Sequence, residues 1–109
     1  MYAPTLDAII FAEFRTTLGQ ASAGIWIEKF LQTLDLIPPR RDLDEANRDQ
    51  IFETAHLVIA RAGLVGCLCL VAACEELQRT CKSGEDFRGP YAAMSAAAAE
   101  AGTALRNAL

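Results

Sequence analysis

Apolar residues recur along most of the chain at alternating intervals of three and four, the spacing that places them on one face of an α-helix. Five such stripes follow one another, each bounded by residues that begin or end helices. The first stripe follows Thr5, its predicted N-cap, and Gly19 closes it. The second is predicted to begin at Ser22 and to stop at Pro38-Pro39, because proline excludes helical geometry from the residue before it.

The remaining stripes predict three further helices. A polar connection contains Asp42 and Asp44, which are alternative caps for the third helix. Gly66 is expected to end the third helix and Gly84 the fourth, while Gly89-Pro90 is expected to begin the fifth, since proline is favoured in a first helical turn. The predicted core positions of the third and fourth helices are Ile51, Ala55, Val58, Ala62, Val65, Cys67, Leu70, Cys74, Leu77 and Cys81.

Four long helices joined by short connections predict an all-α fold, an antiparallel four-helix bundle to which the short first helix is added. Composition favours the same class, because alanine, the best helix former, is the most abundant residue and aromatic residues make up only 7%. A chain of 109 residues with 52% apolar content supports one core. We therefore expect a single domain over residues 1–109.

Charge and hydropathy exclude several classes of function. A net charge of −4 argues against a nucleic-acid binder, which needs a basic face, and against a polybasic membrane anchor. The longest uncharged stretch covers residues 62–74, which is short of the roughly 20 residues of a membrane-spanning helix. Asp7 and Glu13 fall where the apolar region of a secretion signal would lie. A cytoplasmic protein is expected.

The four cysteines are crowded into one short segment, and we interpret them as reduced apolar thiols. Cys67, Cys74 and Cys81 share a helix face at intervals of seven residues, or about 10 Å, which is too far for a disulfide. Cys67 and Cys69 point in opposed directions, which makes a poor metal site. We predict no metal and no cofactor.

His56 is the only histidine of the chain, and it lies on the third predicted helix. At about 100° per residue it points roughly 140° away from the centre of the core stripe, into solvent. Ala60 and Gly63 follow beside it, and Leu57 and Leu64 also point away from the core. An exposed imidazole beside small residues and two leucines indicates a docking surface.

The spacing around this histidine resembles that of histidine-containing phosphotransfer (HPt) domains. These domains have an Ala-His pair followed at fixed intervals by an apolar residue, a glycine, a second apolar residue, often a cysteine, and a leucine. Here those positions are Ala55-His56, Val58, Gly66, Leu70, Cys74 and Leu77, with no gap. Gly84 also lies where the family often turns, and Phe30 is similar to the family's phenylalanine on the preceding helix.

The resemblance implies a phosphocarrier of a two-component phosphorelay rather than an enzyme. His56 would carry a phosphoryl group on Nε2, the ring nitrogen farther from the backbone, since a neutral imidazole is nucleophilic near pH 7. The partner would be the receiver domain of a response regulator, or a hybrid histidine kinase. The receiver would supply the aspartate, the Mg²⁺ and most catalytic groups. The expected partner-binding residues of this chain are Leu57, Ile59, Ala60, Gly63 and Leu64.

Two departures from the family bear on this chemistry. Where the family usually has lysine and then glycine, three and four residues after the histidine, this chain has Ile59 and Ala60. Asp49 and Glu53 precede His56 on the same face, and carboxylates there repel a phosphoryl group. Compensating cations are available in the sequence, namely Arg61, Arg79 and Lys82.

Two alternatives remain open. One is a degenerate HPt-like module that docks a receiver or kinase without carrying phosphate, which Ile59 and the two carboxylates favour. The other is a structural helical dimer that buries Leu57 and Leu64 against a second copy. We otherwise expect a monomer.

Overall fold

The computed structural model describes residues 4–35, 37 and 44–108, and every regular element in these ranges is helical. A 3₁₀ helix at Glu45–Asn47 leads directly into α3. Among the described residues, no helix combines the length and apolarity needed to cross a bilayer. The α-helices are α1 (Ala8–Leu18), α2 (Gln20–Asp35), α3 (Arg48–Val65), α4 (Leu68–Ser83) and α5 (Arg88–Ala108).

The start of α1 differs from the prediction. The cap is Asp7 and not Thr5, because the Asp7 carboxylate accepts hydrogen bonds from the backbone N–H groups of Ile9 and Ile10 at 3.0 and 2.9 Å. The backbone N–H of Asp7 in turn donates to the carbonyl of Gly66 at 2.8 Å, which fixes the helix start against the end of α3.

The predicted bounds of α2 are also corrected. Gly19 ends α1 as expected, but its φ of 83° turns the chain so sharply that α2 begins at once, and Ser22 lies inside the helix rather than at its cap. The helix ends at Asp35 and not at Ile37, because the residue before a proline is driven out of helical geometry. The prolines themselves lie outside the described residues.

A 3₁₀ turn precedes the first residue of α3. Asp44, one of the two predicted caps, accepts a hydrogen bond from the backbone N–H of Ala46 at 3.3 Å and begins the 3₁₀ turn. Asp42 lies outside the described residues. The α-helix therefore starts at Arg48, a turn later than the capping pattern indicated.

The predicted core stripes of α3 and α4 are confirmed. All ten predicted positions are buried, and Gly66 and Gly84 end the two helices in the left-handed conformation. The α5 stripe is also buried at Tyr91, Met94, Ala98, Ala101 and Leu105, and the helix begins at Arg88, with Pro90 in its first turn. The α3–α4 pair has the most extensive packing, followed by α4–α5.

Helices α1 and α2 complete the core through aromatic packing that the stripes alone do not predict. The Trp26 ring lies 5.0 Å from that of Phe14 in an edge-to-face arrangement and 5.5 Å from that of Phe30 in a stacked one. Helix α2 also contacts α3 and α5. The buried apolar side chains of all five helices belong to a common hydrophobic cluster.

Arg48 joins three separate segments where α3 begins. Its guanidinium binds the carboxylate of Glu45 at 2.8 and 2.7 Å and donates to the carbonyls of Cys81 and Glu85 at 3.2 and 2.9 Å. It also lies 4.9 Å from the centre of the Phe87 ring. Because a cation is favoured at a helix C-terminus, this contact fixes the end of α4 and the entry to α5 against α3.

Candidate phosphotransfer site

His56 lies near the middle of α3 and is exposed, while the neighbouring positions Ala55 and Val58 are fully buried. The imidazole has no hydrogen-bond or ion-pair partner within the described part of the chain. The extensive packing of α3 against α4 positions the backbone that carries the histidine. The arrangement presents one accessible imidazole on the surface of the bundle.

The residues around His56 form a surface that we name the outer face of α3. Ala60 is exposed one turn beyond the histidine, about 6 Å along the helix axis. Leu57 and Leu64 have exposed fractions of 45% and 56%, large for leucine. The members of the outer face are Asp49, Glu53, His56, Leu57, Ala60 and Leu64, all of which are exposed.

Ile59 and Gly63 lie at one edge of this face, toward α4. Ile59 is half-buried and packs against the hydrophobic cluster. Gly63 is also half-buried, and a Cβ atom there would lie 3.8 Å from Cγ2 of Val71 on α4, an ordinary contact distance. Glycine is therefore not sterically required at position 63.

Gly66, by contrast, is required by its surroundings. Its φ is 97°, and a Cβ atom would come within 3.1 Å of the carbonyl oxygen of Asp7 and 3.2 Å of Cβ of Ile10. The sequence indicated this glycine as a helix end and as one of the family-like positions. The close approach of α1 is a second and independent reason for glycine here, and no local pattern predicts it.

Two of the three candidate compensating cations, Arg61 and Arg79, are engaged elsewhere. The Arg61 guanidinium donates to the hydroxyl of Thr33 on α2 at 2.9 Å, and so lies on the side of α3 away from Ile59. Arg79 binds Glu76 at 2.6 Å and Glu85 at 3.4 Å, and its hydrogen bond lowers the pKa of Glu76. Lys82 is exposed on the last turn of α4.

The cysteines are free thiols and belong to the core rather than to the site. Burial raises the pKa of Cys67 to about 11 and that of Cys74 to about 12, so both are protonated and unreactive at neutral pH. Within the ranges that the structure describes, no group of three or more His, Cys, Asp or Glu side chains is arranged to hold a metal ion.

Comparisons with protein-family models, curated proteins and solved structures give no match to this chain. The functional interpretation therefore depends on the geometry of the outer face of α3 and on the residue spacing around His56.

Proposed function

We propose that this protein is a histidine phosphotransfer protein of a two-component phosphorelay, folded as an antiparallel four-helix bundle with α1 added. The observation that carries the proposal is that His56 is exposed on α3, whereas five other family-like positions, on α3, at its C-cap and on α4, are buried. Those positions are Val58, Gly66, Leu70, Cys74 and Leu77. The short α3–α4 connection and the packing of α4 against both α3 and α5 support the bundle topology.

In the proposed reaction, the lone pair on Nε2 of His56 attacks the phosphorus of an aspartyl phosphate on a receiver domain. An N–P bond forms, the P–O bond to the aspartate breaks, and its electron pair returns to the carboxylate. The reverse reaction passes the phosphoryl group on. The receiver, together with its Mg²⁺, supplies charge stabilisation, and this chain supplies the positioned nucleophile. We place this proposed transfer in the cytoplasm.

Docking is proposed to use the apolar part of the outer face. Leu57 and Leu64 lie two turns apart, and Ala60 lies between them, so a partner can approach the backbone closely there. Ile59 and Gly63 would form the α4 edge of the contact. Burial of two exposed leucines supplies the affinity that a transient complex needs.

Incubation with a receiver domain loaded by acetyl phosphate in the presence of Mg²⁺ tests the proposal. Label is expected on His56, stable in base and lost in acid, as for a nitrogen-linked phosphate. His56→Gln is expected to abolish labelling without changing helicity or Tm, because the imidazole is exposed and outside the core. Label that persists in His56→Gln would contradict the proposal.

The second candidate is a docking module that binds a receiver or kinase without taking phosphate. The observations that favour it are the half-buried Ile59 in the place of a lysine, and the two exposed carboxylates of the outer face, Asp49 and Glu53. A receiver that binds tightly but leaves His56 unlabelled would establish this function instead.

A further inference from the structure

The carboxylates of the outer face differ from those of the nearby ion pairs. Glu45 is bound by Arg48, and Glu76 and Glu85 are bound by Arg79. Asp49 and Glu53, within the described residues, form no ion pair and no hydrogen bond. Negative charge is thus left uncompensated beside His56, on the face that is proposed to dock a partner.

Helix geometry places both carboxylates close to the path of a phosphoryl group. Glu53 precedes His56 by about 4.5 Å along the axis, and Asp49 precedes it by about 10.5 Å and points in nearly the same direction. A phosphoryl group on Nε2 would add negative charge to this row. The row therefore favours a cation at the moment of docking and transfer.

The described part of this chain does not bring that cation itself. Ile59 occupies the position from which a lysine would reach the phosphoryl oxygens, and Arg61 is directed to Thr33. Lys82 lines the same surface depression as Asp49, beside Phe52, but does not come within ion-pair distance of any carboxylate among the described residues.

We infer that Asp49 and Glu53 select a receiver domain that carries lysine or arginine beside its apolar docking patch. That cation supplies in trans the positive charge that Ile59 has removed from this chain. The inference rests on the proposed function, which it deepens by naming the chemistry of the partner. Leu57 and Leu64 provide apolar contact with any receiver, whereas the carboxylates discriminate between receivers, as interfacial charges do.

A second copy of this chain is a poorer occupant of the same face. It would bring its own Asp49 and Glu53 into the interface, on a chain whose net charge is already −4. A basic receiver converts the same carboxylates from a repulsive feature into an attractive one.

The test measures binding of the unphosphorylated protein to one receiver domain that labels His56, or to the tightest binder where none does. The receiver is used in three forms: unchanged, with two residues beside its apolar docking patch changed to lysine, and with the same two changed to glutamate. The lysine form should bind several-fold more tightly than the glutamate form. In Asp49→Asn/Glu53→Gln this difference should fall by about three- to tenfold at low salt.

The matched control is Glu28→Gln/Glu100→Gln, which makes the same change of net charge on α2 and α5, where both carboxylates are exposed. It should leave the discrimination intact. In 1 M salt, where the Debye length is about 3 Å, the wild type and Asp49→Asn/Glu53→Gln should become equal.

The outcomes separate the inference from the proposed function. The inference is overturned, even where His56 is labelled, if all three receiver forms bind equally. It is also overturned if Glu28→Gln/Glu100→Gln loses as much of the discrimination between receiver forms as Asp49→Asn/Glu53→Gln does. Charge discrimination without labelling overturns phosphotransfer but leaves the docking inference standing. Self-association that Asp49→Asn/Glu53→Gln strengthens and the receiver does not disrupt would assign the face to a second copy.

Discussion

The carbonyl oxygen of Gly66 accepts a hydrogen bond of 2.8 Å from the backbone N–H of Asp7, and the Asp7 carboxylate caps α1. This hydrogen bond therefore joins the residue that caps the start of α1 to the residue that caps the end of α3. The positive φ of Gly66 turns the end of α3 toward Asp7 and leaves space for its carbonyl oxygen. The site helix is thus fixed at its end by a segment far away in sequence.

Gly66→Ala is expected to lower the free energy of unfolding by about 1–3 kcal/mol, because alanine at φ 97° is strained and its Cβ would crowd Asp7 and Ile10. Urea denaturation followed by circular dichroism measures it. Gly24→Ala is the matched control, since Gly24 lies inside α2 with no atom near a Cβ. It should raise stability by about 0.5–1 kcal/mol. Equal effects of the two changes would contradict the proposed role of Gly66.

Arg48→Ala is expected to lower the free energy of unfolding, because it removes hydrogen bonds to the carbonyls at the end of α4 and leaves the Phe87 ring uncovered. Arg48→Lys should recover only part of this, since an ammonium cannot bind Glu45 and the carbonyls with one planar group. Arg79→Ala, which removes a surface ion pair, should lower the free energy of unfolding much less than Arg48→Ala does. Thermal unfolding of the three variants measures these changes in stability. A larger loss of stability in Arg79→Ala than in Arg48→Ala would contradict the role given to Arg48.

The sequence predicted which side chains of a helix are buried, because that depends on local periodicity. It did not predict the contacts between residues far apart along the chain. The three-and-four spacing predicted every buried position of α3 and every buried position of α4 except Thr80, because the side chains that a packed helix buries recur with the period of the helix. It did not predict Arg48, whose carbonyl partners lie 32 to 37 residues away. Thr5 and Asp7 can both cap a helix by residue type, and the structure shows that Asp7 is the cap and that its backbone N–H is bonded to Gly66. The exposure of His56 followed from periodicity, whereas the engagement of Arg61 with Thr33 required the tertiary structure.

The assignment of the faces of α3 can be tested with two adjacent residues. Leu57→Glu should change the free energy of unfolding by less than about 0.5 kcal/mol, because Leu57 is 45% exposed. Val58→Glu should unfold the domain, since Val58 is fully buried and the charge would have no partner in the core. Circular dichroism of the purified variants measures both. Receiver binding should fall in Leu57→Glu, and a folded Val58→Glu protein would contradict the assignment.

The thiols are expected to react in order of burial, with the half-buried Cys69 modified first by a thiol reagent at pH 8 and the buried thiols only on unfolding. Burial raises the pKa of Cys67 to about 11 and that of Cys74 to about 12, whereas an unfolded thiol ionises near 9.0. Above pH 9 the unfolded chain therefore loses protons that the folded chain keeps, so these thiols lower stability as the pH rises.

Urea midpoints at pH 7.5, 9 and 10.5 measure this alkaline loss. Cys67→Ala/Cys74→Ala should show a shallower decline with pH than the wild type, although its stability at pH 7.5 is lower because two side chains are truncated in the core. Parallel declines in the two proteins would show that the buried thiols are not responsible.

The double variant Ile59→Lys/Ala60→Gly tests whether the two departures from the family pattern limit phosphotransfer. Ile59 is half-buried at the edge toward α4, so a lysine can lay its stem along that edge and keep its ammonium in water near the phosphoryl oxygens. With a receiver that carries no lysine or arginine beside its docking patch, transfer to and from His56 should become several-fold faster, and the gain should shrink in high salt. Ala60→Gly should cost about 0.5–1 kcal/mol of stability, because glycine weakens a helix interior.

Ile59→Met/Ala60→Gly is the matched control, because methionine, like lysine, places an unbranched side chain at this edge but carries no charge. It should show the stability change but not the salt-dependent gain in rate. The decisive comparison is between the wild type and the lysine variant with the same phosphorylated receiver. If the wild type takes no label and the lysine variant does, the natural protein is a docking module whose outer face has lost the chemistry. If both are labelled at equal rates in low salt, the partner already supplies the missing cation, as we infer from the unpaired carboxylates of Asp49 and Glu53.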